Sequence, residues 1–349
     1  MINVGLVGIG FMGWIHHLAY QRVRGVRVAA IASRDPAKRR GDWRGIRGNF
    51  GPPGERVDLA GVKAYASLDE LLADPAIDLV DLCLPPDRHA EAAIAALEAG
   101  KHVFCEKPIA LRATDADRMV RAAGKHRRLL LIGHVLPFFP EFQFAQQAIA
   151  GGKFGALRGA HFKRIISVPT WIPDFFDPAS VGGPIIDLHI HDLHFIRLVC
   201  GMPSSVTSCG WLHPGSQVAE MASSQFGFAG RDLAITAASG VIAQGGRSFT
   251  HGFEIYLERA TLTFDAAALG AEFVVSTPLT VLDQKGHVRR PKLKAGDPIE
   301  AFRAEISEVV RAVRQGEPSP LLSGELARDA LRLGQRVTES LVRRRTVRV

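Results

Sequence analysis

The chain opens with the stretch Ile2-Asn3-Val4-Gly5-Leu6-Val7-Gly8-Ile9-Gly10-Phe11-Met12-Gly13. A mostly apolar run leads into the spacing G-x-G-x-x-G, and a helix-compatible stretch follows it to about residue 24. The order strand, glycine turn, helix predicts a dinucleotide-binding site. In such a site Gly8 permits the tight turn, Gly10 lets the backbone approach a pyrophosphate, and Gly13 lets the helix pack on the strand. The N–H groups at the start of the helix, including those of Phe11 and Met12, would face the phosphates. A glycine-rich turn without a ligand is the alternative.

The composition is that of a globular protein of about two domains, with 349 residues of which 47% are hydrophobic and 22% are charged. No apolar run reaches the roughly 18 residues that a membrane span needs. The first residues lack the basic region and the cleavage site of a signal peptide. The four cysteines, at positions 83, 105, 200 and 209, show no C-x-x-C spacing. We therefore expect a cytoplasmic protein with reduced thiols and no membrane partner.

The formal net charge is +8, and much of it lies in two basic clusters. One contains Lys38-Arg39-Arg40 and the other Arg343-Arg344-Arg345. Neither belongs to a recognisable nucleic-acid-binding module, so we expect no nucleic-acid partner and, apart from a cofactor contact of the first cluster, solvated surface.

The distribution of strand and helix patterns predicts two different architectures along the chain. Strands and helices alternate up to about residue 132, which favours an α/β Rossmann domain with a doubly wound parallel sheet. Six strand-like stretches then follow each other between residues 155 and 265, with helices near 184–199, 299–315 and 322–341. This part predicts an α+β domain with a large open, mostly antiparallel sheet. The expected domains are 1–132, which binds NAD(P), and 133–349, which binds substrate and forms oligomers.

Two short segments follow predicted parallel strands at their carboxyl ends, where open α/β sheets bind ligands. The first is Leu84-Pro85-Pro86-Asp87-Arg88-His89, and the second is Glu106-Lys107-Pro108. The ammonium of Lys107 can hydrogen-bond a substrate oxygen and stabilise negative charge that develops on it. The bond before Pro108 is a candidate for the cis form. A strand end followed by a helix start, and a surface lysine before a proline, are the structural alternatives.

The segment from Gly182 to His194 predicts a helix that carries polar side chains, with Pro184 in its first turn. On an α-helix, Asp187, His191 and His194 share one face, whereas His189 points away from it. His191 suits general acid/base chemistry near neutral pH, and Asp187 can orient it or bind a substrate hydroxyl. A metal site built from the same three residues and a packed polar helix face are the alternatives. Because no second ligand cluster accompanies them, we expect no metal.

Taken together, these segments resemble the Gfo/Idh/MocA family of glucose-fructose oxidoreductase and inositol dehydrogenase-like proteins. The resemblance covers nearly the whole chain and includes the glycine turn, residues 71–80, residues 100–108, the helix with Asp187 and His191, and residues 317–323. It implies an enzyme that oxidises or reduces CH–OH groups of sugars, cyclitols or related polyols with NAD(P), commonly as a homodimer or homotetramer. By position, Lys107 matches the catalytic lysine of the family, Asp187 and His191 match the polar pair of its active-site helix, and His89 matches a histidine beside the nicotinamide.

This chain departs from the family pattern at several positions. Leu84 and Pro86 replace the usual Thr and Asn, so some cofactor contacts must differ or come from the backbone. Histidines at 189 and 194 replace the usual Gly and Asp, and Pro137 replaces Arg. The departures affect the expected substrate contacts more than the reaction type.

The end of the second predicted strand bears on the choice between NADP and NAD. Ser33 and Arg34, with help from Lys38, can hold a 2′-phosphate, which favours NADP. Asp35 keeps NAD as the alternative, because an acidic residue at the strand end can bind the ribose hydroxyls. The expected cofactor contacts are Gly8, Gly10, Phe11, Met12, Gly13, Ser33, Arg34, Lys38, Leu84, Pro85, His89, Glu106 and Lys107.

Candidate substrate contacts are Trp171 and Phe175, in the proline-rich loop before the active-site helix, and His194 on that helix. The two aromatic rings can stack on a sugar or pack the interior equally well. Two other functions remain open. One is an NADP-binding sensor or regulator without turnover, and the other is redox-neutral cleavage of glycosides with tightly bound NAD.

Overall fold

The computed structural model describes residues 1–169, 175–293 and 297–349, and the chain forms two compact units. The first unit comprises Met1–Phe138 and Ala295–Arg328, and the second comprises Phe139–Lys294 and Asp329–Val349. Neither unit is one continuous segment, because the chain returns to the first unit after the strands of the second. The expected division into domains at residue 132 stays a prediction.

A sheet of six strands forms the centre of the first unit. Its strands are β1 (Ile2–Val7), β2 (Val26–Ala32), β3 (Lys63–Tyr65), β4 (Leu79–Leu82), β5 (His102–Glu106) and β6 (Leu130–Gly133). All neighbouring strands are parallel, in the order β3-β2-β1-β4-β5-β6. Every residue of β4 and β6 is buried, as expected when helices cover both faces of a parallel sheet. The strand order is that of a Rossmann fold and confirms the predicted class.

A larger sheet forms the centre of the second unit. Its strands are β7 (Leu157–Ser167), β8 (Ser205–Leu212), β9 (Ala219–Gly227), β10 (Ala234–Ile242), β11 (Arg247–Leu257), β12 (Ala260–Leu269), β13 (Glu272–Asp283), β14 (Val288–Arg289) and β15 (Val347–Arg348). Their order is β14-β13-β12-β11-β7-β10-β9-β8-β15. Among the described strands, β7 and β10 pair in parallel and the other neighbours are antiparallel. Buried and exposed residues alternate along β9, which is typical of a sheet with one covered face. The mostly antiparallel sheet is therefore confirmed.

The helices of the described chain surround these sheets. They are α1 (Phe11–Tyr20), α2 (Pro36–Arg39), α3 (Leu68–Leu72), α4 (His89–Glu98), α5 (Ala113–His126), α6 (Pro140–Ala150), α7 (Ile190–Cys200), α8 (Ile299–Gln315) and α9 (Gly324–Arg343). Short 3₁₀ turns lie at Pro86–Arg88 and Leu136–Phe138, and a π turn lies at Ile185–His189. Ser67 caps α3 by accepting a hydrogen bond from Glu70 N. None of the described helices is long and apolar enough to cross a membrane.

Helix α8 supplies part of the core of the first unit, although in sequence it lies between the two segments of the second unit. The ring of Phe302 stacks on Phe50, with centroids 5.5 Å apart, and lies 6.1 Å from the ring of His16 on α1. At the rim, Arg22 donates to Asp297 and Glu300. The first unit is therefore complete only when the later segment has returned to it.

Two substantial elements lie outside the predicted pattern. Helix α6 begins with Pro140 in its first turn. Its buried residues are interspersed with polar ones over a short length, so the sequence shows no long apolar face there. Strand β13 exposes most of its first seven residues. Its sequence therefore lacks the alternation of apolar and polar residues that predicts a half-buried strand.

Candidate active site

The glycine turn between β1 and α1 has the geometry that a dinucleotide requires. Gly8 has φ +91°, and a Cβ there would lie 2.4 Å from the Cys83 carbonyl oxygen. A Cβ on Gly13 would lie 2.2 Å from the Gly8 carbonyl oxygen, whereas one on Gly10 would meet no described heavy atom within 4 Å. Gly10 has no side chain that could cap α1. The turn is therefore tightly packed at Gly8 and Gly13 and open at Gly10. These residues fit the pyrophosphate of NAD(P).

The loop after β4 is tied to the loop after β5 by one buried histidine. His89 is 0% exposed. Its Nε2 lies 2.8 Å from the Leu84 carbonyl oxygen and its Nδ1 lies 2.7 Å from that of Pro108. Burial lowers the pKa of His89. The ring therefore fixes the loops that carry Pro85 and Lys107, and its contact with a cofactor stays a prediction.

Lys107 lies where the sequence places it, directly after β5. The peptide bond between Lys107 and Pro108 is cis, as predicted, and Lys107 is half-buried. Its main-chain N–H donates to Glu106 Oε2 at 3.0 Å. The Glu106 carboxylate is thus occupied by the protein backbone, and its predicted contact with a cofactor stays a prediction.

A buried polar cluster lies behind Glu106, and sequence reasoning missed it. His16 is bracketed by carboxylates, with Nδ1 2.9 Å from Asp81 Oδ2 and Nε2 3.0 Å from Glu106 Oε1. Cys83 Sγ lies 3.4 Å from His16 Nδ1. The side-chain donor atoms of residues 16, 81 and 83 lie within 4.8 Å of one another, a spacing compatible with a metal ion, and the expected absence of a metal stays a prediction.

The end of β2 is arranged around backbone contacts. The strand ends at Ala32, and Asp35 Oδ1 accepts the Ala37 N–H as the cap of α2. The Arg39 guanidinium donates to the carbonyl oxygens of Ser33 and Arg34. Arg34 is exposed, and Ser33 and Lys38 are half-buried. The carboxylate of Asp35 is therefore engaged by the backbone, while Arg34 lies at the surface.

The predicted active-site helix of the second unit consists of two parts. A π turn, Ile185–His189, contains Asp187, and α7 begins at Ile190. The expected common face of Asp187, His191 and His194 assumed an uninterrupted α-helix, and it stays a prediction because the π turn changes the spacing around Asp187. Among residues 183–196, all of them described, only Asp187 and His191 are not buried, and His194 is 0% exposed. The two predicted polar residues are thus the accessible ones.

A buried ion pair holds α7 against β7, and sequence reasoning missed this pair also. Arg164 on β7 donates from Nε and Nη2 to the two carboxylate oxygens of Asp192, both at 3.0 Å. His189 Nδ1 lies 3.5 Å from Asp192 Oδ2. Burial raises the pKa of Asp192, but Arg164 and His189 outweigh burial and hold it well below its usual range. The only nearby feature of the sequence that could have indicated this pair was Arg164, a charged residue at a position of the strand that is buried in the structure.

The predicted substrate contacts are not all accessible. Phe175 is 3% exposed and lies edge-on to Phe176, whose ring stacks on His213 at 4.0 Å. The burial of Phe175 and His194 favours packing roles. Trp171 lies outside the described residues. The site assignments made from sequence stay predictions.

The comparisons with known proteins cover both units. The family model for the oxidoreductase family with an NAD-binding Rossmann fold matches residues 2–134, and the model for the GFO/IDH/MocA C-terminal domain matches residues 142–263. Myo-inositol 2-dehydrogenase from Thermotoga maritima is 28% identical in an alignment that covers 100% of this chain and 98% of the relative. The 1,5-anhydro-D-fructose reductase of Ensifer adhaerens is 28% identical, over 75% of this chain and 77% of the relative. The crystal structure of an NAD-binding oxidoreductase from Klebsiella pneumoniae has a TM-score of 0.82 at 23% identity and covers 100% and 99% of the two chains.

The Rossmann sheet, the glycine turn and the large second sheet define a two-unit, NAD(P)-dependent oxidoreductase. The chain belongs to the GFO/IDH/MocA oxidoreductase family, which confirms the resemblance.

Proposed function

We propose that this enzyme transfers a hydride between NAD(P) and a carbinol or carbonyl carbon of a sugar, cyclitol or related polyol. The names of two relatives, an inositol dehydrogenase and an anhydrofructose reductase, support this substrate class. The observation that carries the proposal is that, within residues 183–196, Asp187 and His191 are the two residues that are not buried. An acid/base pair exposed on a rigid element is what proton transfer to a hydroxyl requires.

In the proposed mechanism each of three side chains has one task. When bound, the nicotinamide supplies the hydride acceptor or donor. His191 accepts the hydroxyl proton during oxidation and returns it during reduction. Lys107 binds a substrate oxygen and stabilises the negative charge that develops on it. Asp187 binds a neighbouring hydroxyl or orients His191.

Replacement of the proposed catalytic residues tests this mechanism. His191→Ala is expected to lower kcat about 10²–10⁴-fold, because a positioned proton acceptor is lost. Lys107→Ala is expected to lower kcat about 10²–10³-fold. Kd for NADP, measured by titration, should stay the same for His191→Ala. His287→Ala, in an exposed hairpin where the ring contacts Asp283, is the matched control. Unchanged turnover in His191→Ala would remove that residue from the mechanism.

The preferred cofactor is proposed to be NADP, with NAD as the alternative. Asp35 is engaged as the cap of α2, so its carboxylate is poorly placed to select the ribose hydroxyls of NAD. Arg34 is exposed at the end of β2 and can pair with a 2′-phosphate. Arg34→Gln should lower the ratio of kcat/KM for NADP over NAD about tenfold, while Arg40→Gln should leave it unchanged. A strong preference of the unaltered enzyme for NAD would contradict this assignment.

A panel of sugars and cyclitols separates net oxidation from the two other functions. The proposed dehydrogenase releases reduced cofactor, visible at the absorbance band of reduced nicotinamide. A sensor binds NADP and shows no such absorbance with any compound. A redox-neutral enzyme releases an aglycone from a glycoside without accumulating reduced cofactor.

A homodimer or homotetramer formed through the second sheet is also proposed. Large apolar side chains are exposed on its outer strands, among them Phe273 at 63%, Val275 at 45% and Val288 at 66%. Contiguous exposed apolar surface commonly marks an interface. Light scattering on the purified protein should give a mass of two or four chains, and Phe273→Glu should lower it. A monomeric mass at micromolar concentration would contradict the proposal.

A further inference from the structure

The cluster around His16 places three ionisable side chains from three elements of the first unit in one buried contact. His16 comes from α1, Asp81 from β4 and Glu106 from β5, and all three are less than 8% exposed. Both ring nitrogens of His16 face carboxylate oxygens, at 2.9 and 3.0 Å. Hydrogen bonds to two ionised carboxylates require a proton on each nitrogen. The geometry therefore favours an imidazolium between two carboxylates.

The groups around this ring are consistent with that charge. Burial lowers the pKa of His16, but Asp81 and Cys83 outweigh burial, and the pKa is well above its usual value. From α8, Glu305 is 0% exposed and has no hydrogen-bond partner in the described part of the chain. Burial and the charge of Glu106 raise the pKa of Glu305 well above its usual value, which favours the neutral carboxyl. Burial, followed by Asp81, raises the pKa of Tyr20, so its phenol is neutral too.

The cluster also holds the backbone beside the proposed substrate-binding lysine. Glu106 uses Oε1 for His16 and Oε2 for the main-chain N–H of Lys107, at 3.0 Å each. Gly133 on β6 packs beside the Glu106 carboxylate, since a Cβ on this glycine would lie 3.3 Å from Oε1. The ring of His16 stacks on Phe104, with centroids 5.2 Å apart and planes inclined by 11°. The ring and the carboxylate are thus each fixed by contacts on more than one side.

We propose that His16 is a positioning residue for the reaction: through Glu106 it holds the main chain of Lys107, so that the ammonium is presented to the substrate oxygen. The inference rests on the proposed function of Lys107. His16 touches neither cofactor nor substrate in this role. Its loss should displace the lysine, and a displacement of about 1 Å at a reacting group lowers turnover about 10²-fold.

Amide hydrogen exchange tests the structural half of the proposal without any substrate. In His16→Gln, the Lys107 N–H should lose protection about tenfold, because its charged acceptor is no longer held. His17→Gln is the matched control, since His17 is the next residue of α1, is 8% exposed and contacts Gln21 rather than a carboxylate. Unchanged protection in His16→Gln, or an equal loss in His17→Gln, would overturn the proposal. If His16→Gln does not fold, the isosteric Glu106→Gln takes its place.

A double-mutant cycle in the full-length enzyme tests the catalytic half. His16→Gln should lower kcat about 10²-fold and change the Kd values for NADP and NAD little. Added to Lys107→Ala, the same change should lower kcat less than about twofold further, because coupled residues are not additive. Fully additive losses would overturn the proposal while leaving the function of Lys107 intact. If Lys107→Ala alone changes nothing, the proposed function fails instead. A stoichiometric divalent metal that His16→Gln loses would replace the proposal with a metal site.

Discussion

Each of the two units buries a charged network one residue away from a proposed catalytic side chain, but the networks use different cations. In the first unit the cation is the titratable ring of His16, between Asp81 and Glu106. In the second it is the guanidinium of Arg164, paired at two points with Asp192. An arginine keeps its charge at any pH that a protein tolerates, whereas a histidine loses its charge once the pH rises above its pKa. The two units therefore fix their backbones by similar contacts with different sensitivity to pH.

The histidines near the two networks differ in the same sense. Asp81 and Cys83 outweigh burial and raise the pKa of His16 above its usual value, whereas burial and Arg164 lower the pKa of His251 to about 3. The ring of His251 packs among aromatic side chains of the second unit, 5.8 Å from that of Phe142. Burial lowers the pKa of both imidazoles, so it is the neighbouring groups that make the two pKa values shift in opposite directions.

The largest expected effect is on the arginine pair. Arg164→Gln should lower the free energy of unfolding by about 3–5 kcal/mol, because it leaves the Asp192 carboxylate buried without its counter-ion. Urea denaturation measures this loss. The double variant Arg164→Gln/Asp192→Asn should recover part of it, since no lone charge remains buried. A loss in the single variant below about 1 kcal/mol would show that the pair behaves like an exposed one.

The second prediction concerns acid stability through His251. Its ring stays neutral in the folded chain down to about pH 3, whereas in the unfolded chain it takes up a proton below its ordinary value of 6.5. The unfolded state then binds more protons, so stability falls as the pH drops from 6.5 towards 3. This residue contributes a slope of about 1.4 kcal/mol per pH unit in that window. Arg164 and Asp192 are the charged groups that act on the ring, and they do so in opposite directions.

His251→Phe should remove that slope, and urea denaturation between about pH 4.5 and about pH 7 measures it. Part of the acid sensitivity will remain, because burial also lowers the pKa of His17, to about 4. The same pH dependence in His251→Phe and the unaltered enzyme would contradict the prediction, because it would mean that the ring binds protons equally in the folded and unfolded chains.

The smallest expected effect tests whether burial, rather than ion pairing itself, makes an ion pair important for stability. Arg112 contacts Asp115 at 2.8 Å, but the arginine side chain is 75% exposed. Arg112→Gln should change the free energy of unfolding by less than about 0.5 kcal/mol, because water and salt screen an exposed pair. A change as large as that of Arg164→Gln would show that burial is not what makes the second unit's pair important.

The fold was predictable because its signals are local. Each of these signals can be read from about one or two neighbouring elements. They are the glycine turn after β1, the alternation of strands and helices, and the polar pair at positions 187 and 191. The two networks were not predictable, because His16 and Glu106 are 90 residues apart and Arg164 and Asp192 are 28 apart. Their pairing depends on strand order and register, which no single segment specifies. The π turn was missed for a related reason, since Ile185–His189 follows an ordinary helix pattern in sequence.

The return of the chain to the first unit has a consequence for dissecting this enzyme. A fragment that stops at Phe138 keeps every strand of the parallel sheet but omits α8, whose Phe302 covers Phe50 and the ring of His16. Such a fragment exposes to water the aromatic rings that Phe302 covers, and it is unsuited to expression on its own. A minimal nucleotide-binding protein therefore has to splice residues 297–328 onto the first segment, or be circularly permuted so that both pieces become neighbours in sequence.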